Sequence, residues 1–132
     1  MKNKIISVLR YQAPAFIWAL IIFVASSIPT SMIPWAFLRA PDKIIHVVIF
    51  LILGILVYRA LETDSDRGIF FYKKVLLMFG IVLSYGILDE LHQGFTPGRS
   101  VDFYDLLADA VGGITAGAVL YLRGMRNIRK TS

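Results

Sequence analysis

The chain has 132 residues, of which 57% are hydrophobic, and it carries a formal net charge of +5. A soluble domain of this length has too small an interior for so much apolar surface, so a soluble globular fold is excluded and lipid is the expected surrounding. The absence of cysteine excludes disulfides, thiolate metal sites and cysteine nucleophiles, and the basic residues flank apolar segments, which indicates membrane contact and no nucleic-acid partner.

Four apolar segments predict an all-α membrane protein, a compact bundle of about four transmembrane helices in a single domain over residues 1–132. The spans cover about residues 13–28, 43–61, 73–88 and 106–122. Residues 1–10 are basic and precede the first span, so a cleaved signal peptide is the alternative to an uncleaved first helix. Residues 29–41, with three prolines and Trp35, suit an interfacial loop, and residues 62–68 form a polar connection.

Lysine and arginine are distributed unequally between the two sides of these spans. Eleven of them lie before the first span, between the second and third, and after the fourth. The other two connections hold only three, which are Arg39, Lys43 and Arg99. This bias predicts a multi-pass protein of the cytoplasmic membrane, with both termini in the cytoplasm and the polar motifs on the extracytoplasmic side.

Two of the spans are short for a membrane crossing. The uncharged stretches between Lys74 and Asp89 and between Asp109 and Arg123 are both shorter than the about 20 residues required. With Arg123 at the cytoplasmic interface, a rise of about 1.5 Å per residue puts Asp109 roughly 21 Å above it, inside a hydrocarbon core about 30 Å thick. Ionisable groups at such depth normally face a protein interior or a wet cavity, so a polar site is expected there.

The first polar group lies where the second span begins. Asp42 and His46 are four residues apart and share a helix face, with Lys43 beside Asp42. We predict that His46 is part of the reactive group and that Asp42 and Lys43 bind substrate. Asp42 also suits a helix cap, and a cap followed by an interfacial histidine is the alternative.

The second polar group, formed by Asp89, Glu90, His92 and Gln93, lies where the third span ends. Two adjacent carboxylates at an apolar boundary are unequally solvated, so one of them can act as an acid or a base. The alternative is a helix end that continues into an acidic surface loop. Acidic residues at a helix C-terminus oppose its dipole, and a functional role is therefore the favoured interpretation.

The third polar group follows a turn at Pro97 and Gly98. Its members are Arg99, Ser100, Asp102, Asp105 and Asp109. The three aspartates form one helical stripe, which continues into small residues that include Gly113 and Gly117 and allow another helix to approach, within the monomer or in an oligomer. Arg99 either pairs with the carboxylates or holds an anionic ligand by a two-pronged contact.

The oxygen and imidazole groups at this end of the bundle would suit a divalent cation. The spacing matches no recognised metal motif, and His46 and His92 come from different helices. We therefore predict no metal site and leave a divalent cation open as a cofactor. No serine or threonine lies in a nucleophile motif, and there is no phosphate-binding glycine loop.

These motifs resemble the VanZ-like family of membrane proteins, named for a teicoplanin-resistance accessory protein. The resemblance extends over most of the chain and rests on Ser26, Ser27, Pro29, Asp42, Lys43, His46, Phe50 and Gly54, on residues 86–95, 97–100 and 105–109, and on Gly112 and Gly113. Asp109 stands where many members of that family carry asparagine, which suits proton or cation chemistry. The resemblance implies a cell-envelope role and, for the founding member, reduced sensitivity to a glycopeptide antibiotic.

The leading hypothesis is an outward-facing site that binds or modifies a lipid-linked envelope component, as a membrane-embedded hydrolase or transferase. Its predicted catalytic residues are Glu90, Asp89 and His46, and its predicted substrate-binding residues are Asp42, Lys43, His92, Gln93, Arg99, Ser100, Asp105 and Asp109. One alternative is a non-catalytic structural or binding protein whose polar cluster locks the helices together. A proton-coupled transporter is the other, although all the acids on one side of four short helices leave little room for alternating access.

Overall fold

The computed structural model describes residues 2–33, 42–62 and 71–131, and every regular element in these ranges is helical. The elements are α1 (Lys2–Tyr11), α2 (Ala13–Ser26), a short 3-10 helix (Thr30–Met32), α3 (Asp42–Ala60), α4 (Phe71–Gln93) and α5 (Phe103–Thr131). The predicted all-α class is confirmed for this part of the chain. The interfacial segment around Trp35 and most of the polar connection after Glu62 lie outside the described residues.

Among the described residues, three helices are long and apolar enough to cross a membrane: α3, α4 and the Phe103–Gly124 part of α5. The predicted first span is different, because α2 has only 14 residues and ends at Ser26. At about 1.5 Å per residue it reaches roughly 21 Å. A fourth span is present only if Ile5–Tyr11 and Ala13–Ser26, which meet at a 46° bend, form one broken span.

The bend between α1 and α2 lies at Gln12, just before Pro14. Proline has no backbone N–H and is tolerated in the first turn of a helix, where that donor has no intrahelical acceptor. Pro14 is in the first turn of α2, so it favours a new helix start here over a continuous helix from Lys2. The guanidinium groups of Arg10 and Arg59 lie 5.6 and 6.0 Å from the ring centre of Tyr11, which places the bend beside the end of α3.

Helices α3 and α5 form the most extensive interface of the bundle. Their close approach depends on glycine, because a Cβ at Gly112 would lie 2.6 Å from the carbonyl oxygen of Val47 and 2.9 Å from the amide nitrogen of Leu51. A Cβ at Gly54 would likewise lie 2.7 Å from the Cβ of Ala116. The small-residue stripe therefore brings the two backbones nearly into contact.

Helix α4 packs against another face of α5. A Cβ at Gly113 would lie 3.2 Å from the side chains of Phe79 and Val82, and one at Gly117 would lie 3.2 Å from Val75. Both glycines are buried. Of the two uses predicted for this stripe, the structure shows packing within the chain.

The outer surface of the helices is apolar, as a lipid-facing surface must be. Phe16 and Leu76 are each 73% exposed, and Ile114 is 61% exposed. Several hydrogen bonds to carbonyl oxygens attach α2 to this bundle, among them those from the Trp18 indole to Ile49 (3.0 Å) and from the Tyr85 hydroxyl to Ala19 (2.5 Å). Polar groups that would be costly in lipid are thus satisfied between helices.

Candidate functional site

Polar side chains from four helices meet at one end of the bundle, around a cavity of about 390 Å³. The helix ends that meet there are the end of α2, the start of α3, the end of α4 and the segment leading into α5. The polar residues that line the cavity are Ser26, Thr30, Asp42, His46, Asp89, Gln93, Arg99, Ser100, Asp102 and Asp105. Seven of the eleven residues predicted for the site therefore lie on this lining, and the other four, Lys43, Glu90, His92 and Asp109, lie elsewhere.

Three buried side chains beside the cavity, His46, Glu90 and Asp109, form what we call the buried cluster. They are 5%, 3% and 0% exposed, respectively. The Nδ1 atom of His46 lies 2.8 Å from Oδ1 of Asp109, and each of the three residues offers a nitrogen or oxygen atom within 4.8 Å of the others. Of the three, His46 also lines the cavity, so it connects the buried carboxylates with the open space.

The two carboxylates of the buried cluster are only partly satisfied. Oε2 of Glu90 accepts a hydrogen bond of 2.9 Å from the backbone N–H of Asp102. Oε1 of Glu90 and Oδ2 of Asp109 are buried and have no hydrogen-bond partner among the described residues. Such groups are rare in folded proteins, because a buried polar atom without a partner loses its hydration and gains nothing in return.

Gly86 makes room for this arrangement on α4. A Cβ at this position would lie 2.9 Å from Oδ2 of Asp109 and 3.3 Å from the ring of Phe50. Any larger residue would therefore push the carboxylate away from its place. Gly86 lies one turn before Glu90 on the same helix. Helix α4 therefore supplies both the Glu90 carboxylate and the space that the Asp109 carboxylate occupies.

Lys43 connects α3 with the start of α5. Its ammonium group forms ion pairs with Asp102 and with Asp105, which is buried. The hydrogen bond from Lys43 lowers the pKa of the Asp102 carboxyl below its ordinary value, and the backbone N–H of Tyr104 adds to the effect. The Nε2 atom of His46 is 3.9 Å from the other oxygen of Asp105. Lys43 thus balances the acidic stripe at the rim of the buried cluster.

A second set of hydrogen bonds, the α2–α4 network, is formed by Ser26, Asp89, Gln93 and Thr96. The Ser26 hydroxyl donates to Oδ1 of Asp89 at 2.6 Å, and the Gln93 amide donates to Oδ2 of Asp89 at 2.9 Å. The Thr96 hydroxyl donates to the carbonyl oxygen of Ser26 at 3.3 Å. Oδ1 of Asp89 therefore joins α4 to α2, and Oδ2 is held by Gln93 one turn later on α4 itself.

Arg99 does not pair with a carboxylate among the described residues, although such pairing was one of its two predicted roles. Its guanidinium donates instead to the carbonyl oxygens of Ile28 (3.2 Å) and Ala25 (3.3 Å) and to Oε1 of Gln93 (3.2 Å). Lys43 is the cation that the aspartates use. Arg99 thereby closes the end of α2 onto the turn after α4 and remains on the cavity lining.

The two histidines have different surroundings. His92 stacks on Phe23 of α2, with ring centres 4.5 Å apart and an interplanar angle of 13°. It is not on the cavity lining. Asp89 and His92 thus contact different residues of α2, Ser26 and Phe23, whereas Glu90 contacts the segment before α5. Of these three residues, Asp89 is the one that reaches the cavity.

Ser26 and Asp102 are site residues that were not predicted as such. Ser26 is a lone hydroxyl at the end of an apolar segment, and nothing in its local sequence indicates a buried carboxylate partner. Asp102 belongs to the predicted aspartate stripe, and its backbone N–H is what holds Glu90. Its ion pair with Lys43 could be anticipated from opposite charges only once the two helix starts were known to meet.

A family model described as VanZ/LLP1 matches residues 6–125, which is nearly the whole chain. No match was found among curated proteins or among solved structures.

Proposed function

The chain belongs to the VanZ/LLP1 family, and from that premise we propose that its cavity binds, and acts on, the polar head group of a lipid-linked envelope component. The observation that carries the proposal is the cavity itself: about 390 Å³ of space lined by ten polar residues, at one end of helices whose outer surfaces are apolar. The head group of a molecule anchored in the bilayer would find polar partners in this space.

We place this cavity on the extracytoplasmic side of the cytoplasmic membrane, with both termini in the cytoplasm. The argument is the distribution of basic residues. Arg59 ends α3 and Lys73 begins α4, at the end of the bundle opposite the cavity, and Arg123 lies on the distant part of α5. An end rich in lysine and arginine is typical of the cytoplasmic side.

Arg99 supports an anionic head group. Arg99 is half-buried on the lining, and its guanidinium is held in place by two carbonyl oxygens and Gln93, so its orientation is fixed before a ligand arrives. A guanidinium carries five N–H donors in a rigid plane and pairs well with phosphate or carboxylate. Ser100 beside it lines the same space and offers a hydroxyl.

The chemical step is assigned to the buried cluster, with His46 as the residue that faces the ligand. An imidazole oriented by a carboxylate is a common acid–base group, and general acid–base assistance contributes about 10²–10⁴ in rate. Glu90 is not on the lining, and each oxygen of Asp89 already accepts a hydrogen bond. Of the three predicted catalytic residues, His46 is therefore the one we propose to touch the substrate.

A structural role is the second candidate, and the α2–α4 network favours it for Ser26, Asp89 and Gln93. These groups satisfy one another across two helices, which is what a polar lock in a membrane requires. The structural role and the role in the site thus belong to different polar residues. The network holds α2 in place, and the buried cluster with Arg99 forms the site.

The test compares envelope lipids and lipid-linked glycans, by mass spectrometry, from cells that make the wild type, His46→Gln or His92→Gln. We expect a lipid-linked species that depends on the wild type to disappear with His46→Gln and to persist with His92→Gln, because of the two histidines it is His46 that faces the cavity. Identical profiles for all three proteins at equal abundance would contradict an enzymatic role. Teicoplanin sensitivity of the same cells is a second readout. We expect cells that make His92→Gln to match the wild type in sensitivity and cells that make His46→Gln to differ from it.

A further inference from the structure

We propose that His46, Glu90 and Asp109 form a binding site for a single transition-metal ion of the Zn²⁺ type. The inference deepens the proposed function, since the ion would lie at the reactive floor of the cavity. With the ion bound, His46 would serve as its ligand in place of the acid–base role. Only the identity of the ligand that the ion would face rests on the proposed function, because the residues of the buried cluster alone form the site.

The geometry of the cluster suits such an ion. One imidazole nitrogen and two carboxylate oxygens lie within 4.8 Å of one another, and they come from three helices, α3, α4 and α5. Ligand atoms about 2.0–2.1 Å from a tetrahedral zinc lie roughly 3.3 Å apart, so small side-chain rotations are enough to bring these atoms to that spacing. Three protein ligands with a further position left open are typical of zinc sites that perform catalysis.

Two carboxylate oxygens of the buried cluster independently indicate a cation, because they have no hydrogen-bond partner among the described residues. Within residues 2–33, 42–62 and 71–131, Oε1 of Glu90 and Oδ2 of Asp109 find no hydrogen-bond partner, although their residues are only 3% and 0% exposed. Two buried carboxylates placed side by side repel each other, and at membrane depth neither is solvated by bulk water. A divalent cation between them removes the repulsion and supplies a partner for each oxygen.

A competing trio of ligands exists in the cavity, formed by Asp42, His46 and Asp105. Asp42 is exposed, and Asp105 is already paired with Lys43. A cation there would compete with the lysine ammonium for the same carboxylate. Among the described residues, no basic side chain other than His46 approaches the two carboxylates of the buried cluster. The buried cluster therefore needs a cation more than the competing trio does.

The ligand types select the ion. Calcium and magnesium are bound by oxygen ligands, whereas an imidazole favours zinc and the later transition metals. The chain contains no cysteine, so thiolate-dependent sites do not compete for the ion. We therefore expect Zn²⁺ to bind and Ca²⁺ not to displace it.

The experiment uses the full chain purified in detergent, stripped with a chelator and titrated with ZnCl₂ by isothermal calorimetry, with metal content checked by mass spectrometry. We expect one Zn²⁺ per wild-type chain. Loss of an outer-shell partner typically weakens metal affinity by about 10–100-fold, and Glu90→Gln, which removes a direct ligand, should weaken it by more. Glutamine can still accept the Asp102 N–H, so this variant keeps the contact between α4 and α5.

Asp42→Asn is the matched control, because it alters the competing trio and leaves the buried cluster intact. We expect it to bind Zn²⁺ like the wild type. Loss of binding in Asp42→Asn together with full binding in Glu90→Gln would overturn the proposal. X-ray absorption of the wild type needs no variant: one imidazole with oxygen ligands is expected, and two imidazoles would contradict the site.

The outcomes also separate this inference from the proposed function. A wild type that binds no Zn²⁺, but still produces a lipid-linked species dependent on His46, refutes the metal site and keeps the function. A wild type that binds Zn²⁺ in the buried cluster while all lipid profiles are identical keeps the metal site and refutes the function.

Discussion

The Nδ1 atom of His46 and Oδ1 of Asp109 lie 2.8 Å apart although 63 positions separate the two residues in the sequence. This contact joins the first turns of α3 to the first half of α5 at the floor of the cavity. It depends on the close approach of the same two helices at their glycines further along, so the packing of the bundle also determines the geometry of the site.

The coupling of His46 and Asp109 can be measured by a double-mutant cycle. We expect His46→Gln and Asp109→Asn to be non-additive in the free energy of unfolding, by about 0.6–2 kcal/mol, since they share one buried contact in a membrane protein. Unfolding of the chelator-treated protein in mild detergent gives the four values. The control cycle pairs His46→Gln with His92→Gln, which has its own partner in Phe23, and additivity is expected there.

The α3–α5 approach predicts that Gly112→Ala is destabilising. Its Cβ would meet backbone atoms of Val47 and Leu51 at 2.6 and 2.9 Å, and backbone cannot move away as a side-chain tip can. Overpacking of this kind costs typically about 1–3 kcal/mol, seen as a lower melting temperature in detergent. Gly80→Ala is the matched control, because apart from the adjacent residues and the backbone of its own helix no atom of the described chain would lie within 4 Å of the added Cβ. An equal effect of both substitutions would show that the close approach is not required.

The α2–α4 network predicts different effects for two adjacent serines. Ser26→Ala removes the hydroxyl that donates to buried Asp89, and a buried carboxylate oxygen without its donor costs about 1–3 kcal/mol. Ser27 donates to the carbonyl oxygen of Phe23 one turn earlier in the chain and is more exposed, so Ser27→Ala should be nearly neutral. Thermal unfolding in detergent compares the two variants. Equal stability of Ser26→Ala and the wild type would remove the structural role assigned to this network.

The three long helices could be predicted from the sequence because apolar runs with few charges are typical of membrane-spanning helices, although two of these uncharged runs are shorter than about 20 residues. Their ends could not. The third span was predicted to stop at Leu88, before the first charged residue, yet α4 continues to Gln93. Asp89 and Glu90 remain in the helix because each finds a partner outside α4, on α2 or just before α5, and a partner so distant in sequence leaves no trace in the local pattern.

The composition of the site was predictable, and the division of roles within it was not. Helical spacing alone places Asp89, His92 and Gln93 on one side of α4, and Gln93 does contact Asp89. His92 instead stacks on Phe23. It follows Asp89 by three positions, and such a residue is rotated further from Asp89 about the helix axis than Gln93, which follows by four. Arg99 was expected near carboxylates, but the carbonyl oxygens at the end of α2 lie closer, and backbone acceptors carry no sequence signal.

The Lys43–Asp102 ion pair predicts a pH effect on stability. Lys43 lowers the pKa of Asp102 in the folded protein, so the pair stabilises the fold above the ordinary pKa of an aspartate and loses this contribution as the pH falls through the lowered value. We expect the wild-type melting temperature to fall as the pH drops below about 4, and to fall less in Asp102→Asn. Glu62→Gln, at the other end of the bundle, is the control. Parallel curves for all three proteins would contradict the pair's contribution.

The proposed orientation predicts which loops can be labelled from outside the cell. The chain has no cysteine, so single cysteines can be introduced without a background. Ser100 is exposed at the cavity and Glu62 is exposed at the opposite end of α3. With both termini in the cytoplasm, a membrane-impermeant maleimide should label Ser100→Cys on intact spheroplasts and Glu62→Cys only after the membrane is opened. The reverse pattern would place the cavity in the cytoplasm, and a lipid-linked ligand assembled on the outer face would then be excluded. Labelling of both cysteines before opening would show leaky membranes, which a cytoplasmic marker enzyme in the same sample detects, so the assignment depends only on preparations in which that marker is retained.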